Sequence, residues 1–253
     1  MVNQYVRSPS KRLFGRWFHG FLAGFCLVLM LGWFHPPSMA QSSITEGRIT
    51  EILDSSQVYI QNRQAQVNDV AQRGQQVRTG NARTQVRFNT GAIARLSRNS
   101  VLTIGQCAQL QRGVVLVNGA ANGCTSSVTA GVRGTTYILA VAEDGQEQIQ
   151  VLEGEVVLSR LNRACPYSLR PGEPTAGEQP VILRAGQRIS TRLGEQFGIV
   201  EQLTEEDFVG LLNGELFADF VEELPDLSII RDTLQQLFPN TPLLQYLPLS
   251  HRS

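Results

Sequence analysis

The chain has 253 residues, of which 42% are hydrophobic and 17% charged, a composition typical of a globular protein rather than a disordered one. Lys and Arg together number 22, as do Asp and Glu, so the formal net charge is zero. Lys11 is the only lysine, and His251 is the only histidine after residue 40. This scarcity argues against a Ser-His-Asp triad, a histidine zinc site, a Schiff base and a P-loop, so we predict no catalytic residues, no cofactor and no metal.

The N-terminal segment has the order of a secretory signal peptide. A basic stretch at residues 7–16 precedes an uncharged apolar run at 20–34, and small residues end at Ala40. We therefore predict a signal peptide over 1–40, cut between Ala40 and Gln41, and a periplasmic or secreted protein with no stable membrane anchor after cleavage. The alternative is an uncleaved anchor, although the run is shorter than the roughly 17–25 residues that span a bilayer.

Export places the body of the chain in an oxidising compartment, where cysteines can pair. Cys107 and Cys124 flank a short apolar segment at 114–117 that is typical of a strand. A disulfide between them closes a loop of about 17 residues, which contributes about 3 kcal/mol in the chain-entropy model. Cys165 is then a free thiol, and pairing of Cys124 with Cys165 stays open because spacing alone does not fix connectivity.

Short β-rich segments separated by glycine or asparagine follow one another from residue 44 to residue 159, and two more follow the proline-rich loop at 162–179. Segment 135–142, TTYILAVA, predicts a central strand covered on both faces. Alternation around Arg87 and Arg95 predicts that these two side chains face water. The pattern predicts an all-β body over residues 41–198.

Two arrangements of these strands stay open. A faint echo between residues 112–117 and 153–158 favours a solenoid of stacked short-strand rungs. The other interpretation is a sandwich-like fold, since the sequences of any two β-hairpins look alike.

The period changes to a helical one near Thr204. Residues 204–207 form a capping box, and apolar residues at spacings of three and four predict one helix that runs to Pro225. A second, shorter helix is predicted over 226–238. We therefore predict an acidic helical tail over residues 199–253.

The charge changes together with the period. The tail carries 2 Arg against 10 acids, whereas residues 44–198 carry 16 Arg against 12 acids. The tail could dock on the arginine-rich body or on a partner. The simpler interpretation is a solvated acidic helix that packs its apolar stripe on the body.

An ordered set of motifs resembles a FecR-type domain over about residues 72–159. The motif segments are 74–80 (GQQVRTG), 86–96 (VRFNTGAIARL), 100–104 (SVLTI), 110–115 (LQRGVV), 132–137 (VRGTTY) and 151–156 (VLEGEV). The resemblance implies an exported all-β module that binds or scaffolds. Signalling members of the family carry a cytoplasmic anti-sigma segment, whereas only a short basic stretch precedes the apolar run here, so we expect a stand-alone member.

Several motif residues have a predicted structural role: Gly80, Gly91, Gly113, Arg133, Gly134, Thr135 and Gly154. The first three glycines are predicted at tight turns that need a positive φ. Arg133 is predicted to tie loops together through carbonyl groups and Glu153, in preference to anchoring an anion or a partner.

The sequence therefore favours a non-catalytic binding, sensing or scaffold module with a protein partner in the cell envelope. An alternative is an envelope polysaccharide-processing enzyme, with Glu153 and Glu155 as paired carboxylates on one strand face. Against it, Glu153-Gly154-Glu155 is a turn, and exposed acids in a turn are usually only solvated. A second alternative is a peptidoglycan or carbohydrate binder, for which a stacking platform is poorly supported because no tryptophan follows residue 40. Nucleic acid is not an expected partner of an exported, net-acidic chain.

Overall fold

The computed structural model describes residues 43–161 and 179–240. The signal peptide with its Ala40–Gln41 cleavage site lies outside the described residues, and so does Cys165. The predictions made for them stay predictions.

Seventeen strands and two helices are described. The strands are β1 (Glu46–Leu53), β2 (Val58–Ile60), β3 (Arg63–Gln64), β4 (Val70–Gln72), β5 (Gln76–Thr79), β6 (Arg83–Phe88), β7 (Ile93–Leu96), β8 (Val101–Ile104), β9 (Ala108–Gly119), β10 (Gly123–Cys124), β11 (Val128–Val132), β12 (Thr135–Val141), β13 (Gln146–Glu153), β14 (Glu155–Arg160), β15 (Val181–Arg184), β16 (Gln187–Arg192) and β17 (Glu201–Gln202). The helices are α1 (Glu205–Leu212) and α2 (Leu227–Leu237).

The strands form two open layers. Sheet I has the order β4-β1-β6-β7-β9-β12-β13-β16-β17. Sheet II has the order β3-β2-β5-β8-β9-β10-β11-β14-β15. Among the described strands, only β9 and β10 pair in parallel, so the architecture is a mixed, sandwich-like pair of sheets. The all-β prediction is confirmed.

Two glycines allow the chain to pass between the layers. Gly113 (φ 87°) divides β9 into a first half in sheet II and a second half in sheet I, and a Cβ there would lie 2.6 Å from the Cα of Ser100. Gly154 (φ 81°) separates β13 in sheet I from β14 in sheet II. A side chain at either position would meet both an unfavourable φ and a close contact.

The echo of residues 112–117 in residues 153–158 does not correspond to stacked rungs. The echoed segments lie in β9 and β14, and these two strands do not pair with each other. Apart from β9–β10, the described strand pairs are antiparallel, which is not the arrangement of stacked rungs. Of the two arrangements open at the sequence level, the structure therefore has the sandwich-like one.

The main hydrophobic core lies between the two sheets, where the inward side chains of both meet. Its largest fully buried members include Tyr137, Leu139, Leu102 and Leu110. Strand β12 is central, because it pairs with β9 on one side and β13 on the other, as its composition predicts. Tyr137 also donates a hydrogen bond from its hydroxyl to the Ala121 carbonyl oxygen (2.8 Å), so its polar atom is satisfied.

A second apolar layer covers the outer face of sheet I. The sheet contributes Ile93, Leu116 and Ile138, and the C-terminal segment contributes a row that includes Phe208 and Ile230. The apolar stripe of the tail therefore packs on the body, as predicted. Both helices place one face against the sheet and leave the other in solvent.

The first helix is shorter than the sequence indicates. The capping box is confirmed: the Asp207 amide donates to Thr204 Oγ1 (3.2 Å), and the Thr204 amide donates to Asp207 Oδ2 (2.8 Å). The helix ends at Leu212, however, and not near Pro225. The pair Asn213-Gly214 that follows is typical of helix C-termini, and arginine side chains of sheet I donate to the carbonyl groups beyond it.

The disulfide between Cys107 and Cys124 is confirmed. Its Cα atoms lie 5.9 Å apart, and it fastens the start of β9 to β10, the one short parallel pair. A crosslink here stabilises a ladder of only two register pairs, Gly123 with Ala108 and Cys124 with Gln109.

Candidate binding site

Three arginines lie on the outer face of sheet I, on two neighbouring strands. Arg83 and Arg87 belong to β6, where alternate residues share a face, and Arg95 belongs to β7. Gln85 lies between them, because it pairs with Arg95 on one side and with Glu51 of β1 on the other. We call Arg83, Arg87 and Arg95 the arginine cradle.

The cradle holds the stretch between the two helices, residues 214–224, which we call the C-terminal turn. Arg95 donates from Nη1 to the Leu216 carbonyl oxygen (3.1 Å) and from Nη2 to that of Glu222 (2.6 Å). Arg83 donates from Nη1 to the carbonyl oxygens of Glu215 (2.9 Å) and Ala218 (2.8 Å). Four carbonyl groups of an irregular segment are thus satisfied by two side chains of the sheet.

A carboxylate of sheet I binds amide groups of the turn. The Glu51 carboxylate accepts the backbone amides of Val221 (2.9 Å) and Glu222 (3.4 Å). The sheet therefore contacts both the carbonyl and the amide groups of the segment. Such contacts depend on backbone shape more than on side-chain identity.

An aromatic ring and carboxylates supply the side-chain part of the contact. The Arg95 guanidinium carbon lies 4.2 Å from the centroid of the Phe220 ring, and that of Arg83 lies 5.6 Å from it. Arg87 forms an ion pair with Glu222, and Arg83 Nη2 lies 3.1 Å from Asp219 Oδ2. A ring between two guanidinium groups and a carboxylate at the rim is a specific combination.

The cradle is unusually buried for charged side chains. Arg83 and Arg95 are each only 3% exposed. Burial lowers the pKa of Arg95 to about 10, because desolvation opposes the charged form and Glu51 only partly offsets it. The pKa of Arg83 is raised, first by its hydrogen bond to Asp54, whose two oxygens accept at 2.7 and 2.9 Å. The same bond lowers the pKa of Asp54.

The prediction that Arg87 and Arg95 face water is therefore wrong for Arg95 and only partly right for Arg87, which is half-buried against Glu222. Alternation correctly placed both side chains on the face away from the inter-sheet core. It did not show that the C-terminal turn covers that face. Opposite charge of the body and the tail was the one sequence signal that pointed to this contact.

A second polar group lies beneath α2, near the end of β13. Glu153 is buried and accepts from the Thr136 amide (3.1 Å) and the Thr136 hydroxyl (3.4 Å). Its pKa is raised, mainly by burial and also by the nearby Asp226 carboxylate. The Asn118 amide nitrogen donates to Thr136 Oγ1 (2.7 Å), while Asn118 Oδ1 is buried with no hydrogen-bond partner among the described residues.

The two carboxylates of the predicted catalytic pair lie on different sheets. Glu153 faces the helices on sheet I, and Glu155 is exposed on sheet II beside Arg184, 3.4 Å away. The turn at Gly154 separates them because it carries the chain from one sheet to the other. The shared strand face that the enzyme alternative requires is therefore not present.

A second buried carboxylate lies between the sheets. Glu147 accepts hydrogen bonds from the hydroxyls of Thr125 (2.5 Å), Ser126 (2.7 Å) and Ser127. Three donors from one loop hold this side chain, so it fixes the connection between β10 and β11.

The motif residues have varied roles. Gly91 (φ 86°), Gly113, Gly134 (φ 58°) and Gly154 have positive φ values, whereas Gly80 does not. Gly80 instead leaves room for the flexible side chain of Gln57, which a Cβ there would displace.

Two further motif residues, Arg133 and Thr135, also differ in their structural roles. The Arg133 side chain is exposed and has no hydrogen bond or ion pair with the described residues, so the structural role predicted for it is not observed. Thr135 instead ties the two turns together through a hydrogen bond from its hydroxyl to the Glu155 carbonyl oxygen (3.0 Å).

Two kinds of site are not found within ranges 43–161 and 179–240. No group of three or more His, Cys, Asp or Glu residues there could hold a metal ion. No helix of that part combines the length and the apolar character that a membrane span needs.

The fold and the site together define an all-β protein of two packed sheets, one of which carries a segment of its own chain on an arginine-rich face. Residues 75–157 match the family model described as FecR protein. The resemblance seen in the motifs is therefore confirmed over these residues. The match includes the whole arginine cradle and ends before the C-terminal turn.

Similar solved structures include two crystal structures of a candidate anti-sigma factor from Parabacteroides distasonis ATCC 8503. Each is 14% identical to this chain, with a TM-score of 0.41. Each comparison covers 55% of this chain and 64% or 65% of the other, so this chain spans less than two thirds of the length of those neighbours. A comparison with curated proteins finds no match.

Proposed function

We propose that this protein is an exported, non-catalytic FecR-domain protein that acts as a binding or sensing module in the cell envelope. The observation that carries the proposal is the face of sheet I that holds a peptide segment through its backbone, and the arginines of that face lie within the residues matched to the FecR family. A surface that satisfies carbonyl and amide groups of an irregular segment is suited to bind protein. The sequence of residues 1–40 supports export.

A regulatory role is consistent with the family match. A sensing module must present a surface whose occupancy changes, and it needs a rigid scaffold behind that surface. Sheet I supplies the scaffold, because its inner face packs against sheet II throughout the core. The identity of the partner is open at this stage.

The test has two arms. In the first, the mature protein is isolated from the envelope fraction and its N-terminus is sequenced; we expect it to begin at Gln41, and recovery from the cytosol with residues 1–40 intact would contradict export. In the second, photo-crosslinking in intact cells is followed by mass spectrometry. We expect a recurrent envelope protein, and no recurrent partner across repeated experiments would contradict a binding role.

A further inference from the structure

We propose that the arginine cradle is the partner-binding site, and that the C-terminal turn is an internal occupant that a partner segment of the same chemistry replaces. The inference rests on the proposed function, which it deepens by naming the site and the ligand class. The expected ligand is an irregular acidic protein segment with an aromatic residue two positions before a carboxylate. In this chain, Phe220 and Glu222 have that spacing.

The first argument is the way the turn is bound. Arg83 and Arg95 contact four carbonyl groups, and Glu51 contacts two amides, so most of the hydrogen bonds go to backbone atoms that any peptide provides. Side-chain selectivity comes from the ring between the guanidinium groups and from the carboxylates that pair with Arg83, Arg87 and Arg98. A foreign segment can therefore reproduce the contact without copying the whole tail.

The second argument is the contrast with the flanking helices. Helices α1 and α2 are held by buried apolar side chains such as Phe208 and Ile230, whose exposure to water is costly. The Phe220–Glu222 part of the turn is held by charged and polar groups, which water solvates well when the contact opens. The ends of the turn belong to the same apolar cluster as the helices, through Leu216, Phe217 and Leu224. Only residues 218–223 can therefore leave the cradle while both helices stay in place.

The third argument is the turn itself. It contains neither helix nor strand between Leu212 and Leu227, and Asp219 has a φ of 66°, a conformation that non-glycine residues rarely adopt. Val221, next to the key ring, is 87% exposed and gives no packing to the body. The bound turn thus includes one residue in a less favourable backbone conformation. A partner segment without such a residue can bind the cradle with a more favourable free energy.

Charge fixes the class of ligand. The cradle with Arg98 carries four positive charges, against two negative charges from Glu51 and Asp54. The turn brings Glu215, Asp219, Glu222 and Glu223, and three of these pair with arginines of the sheet. A basic or neutral segment would leave Arg87 and Arg98 without their carboxylate partners in the turn and would remove the Asp219 contact of Arg83.

The direct test uses a labelled peptide that copies residues 214–224 and the purified protein with its tail intact. A double variant, Phe220→Ala with Glu222→Gln, weakens the internal occupant and leaves the cradle unchanged. We expect the peptide to bind the double variant about tenfold more tightly than the parent, because the competent cradle is more often free. Adding Arg87→Gln to the double variant should weaken binding again by about tenfold.

Two controls accompany the titration. A scrambled peptide of the same composition should bind weakly to both proteins, and Arg184→Gln, which removes an exposed ion pair of sheet II, should leave the affinity unchanged. Equal binding to the parent and the double variant, or no binding to the double variant, would overturn the proposal.

Hydrogen exchange on the parent protein gives a second readout that needs no variant. We expect amides in the C-terminal turn to exchange at least about tenfold faster than those of α2, since the turn opens separately. Exchange of the turn and the helices at one common rate would also overturn the proposal.

Different outcomes would contradict the proposed site and the proposed function. If crosslinking recovers an envelope partner and Arg87→Gln leaves that crosslink intact, the cradle is not the site and the proposed function stands. If no partner is recovered although the peptide binds as expected, the proposed function is at fault and the cradle remains a peptide-binding site.

Discussion

The two faces of sheet I are both buried, but in different ways. The inner face packs against sheet II through apolar side chains and shares one continuous core with it. The outer face is apolar only in its middle, around Ile138, and becomes arginine-rich towards β6. Apolar burial is strong and non-directional, whereas buried ion pairs gain little net stability over their hydrated state. The difference indicates a permanent scaffold on one side and a separable cover on the other.

The largest expected effect tests the inner face. Tyr137→Ala removes a fully buried ring of the inter-sheet core and should lower the free energy of unfolding by about 4 kcal/mol. Tyr137→Phe, which removes only the hydroxyl bond to Ala121, should cost about 1 kcal/mol. Urea unfolding followed by circular dichroism measures both. Similar losses for the two variants would mean that the hydrogen bond, not the packing, governs this position.

The next effect tests whether the cover is separable. Phe208→Ala should destabilise the outer layer by about 3 kcal/mol, since Phe208 is fully buried between α1 and sheet I. We expect limited proteolysis to cleave within residues 199–240 and to spare the β-sandwich. Val221→Ala, at an exposed position, should leave the cleavage pattern of the parent. Simultaneous digestion of the sheets would show that the two layers unfold as one unit.

A pH titration examines the polar edge of the outer layer. Burial raises the pKa of Glu153 above its usual value of 4.5, so the folded protein binds this proton more tightly than the unfolded chain. The stability that this contributes is complete below pH 4.5 and is lost as the pH rises through the folded pKa. Glu153→Gln should therefore have a higher melting temperature than the parent at neutral pH, and the gap should close in acid.

The control for that titration is Glu155→Gln, which removes an exposed carboxylate one residue beyond Gly154. It should leave the pH profile of the parent unchanged. A Glu153→Gln protein that is less stable than the parent at neutral pH would show that the two bonds from Thr136 outweigh the cost of burial and of the Asp226 charge.

Much of the scaffold is predictable because it follows from local rules. The period of two in the body, the capping box at Thr204 and the spacing of Cys107 and Cys124 each lead to the observed element. The motif set also predicts the FecR domain. These features depend on neighbouring residues in the chain, and they are visible before any tertiary contact is known.

The site was harder to predict from the sequence, because it depends on contacts between residues that are far apart in the chain. Arg95 and Glu222 are 127 residues apart in sequence, and nothing local to Arg95 indicates that a carbonyl group of the tail covers it. The early end of α1 differs in kind, because Asn213-Gly214 is a local stop signal that the apolar period beyond it obscured. The sequence indicates a turn at Gly154, but it does not show that this turn carries the chain from one sheet to the other and leaves Glu153 buried.

The smallest expected effect separates exposed ion pairs from those of the cradle. Arg192 and Asp144 pair at 2.5 Å across the β13–β16 end of sheet I, and both side chains are about half exposed. Arg192→Gln should change the free energy of unfolding by less than about 0.5 kcal/mol, because solvent and salt screen such a pair. Arg83→Gln, at a buried position with four protein partners, should cost several times more and should release the C-terminal turn. Denaturant unfolding with hydrogen exchange measures both, and equal losses for the two variants would remove the distinction between the cradle and an ordinary surface pair.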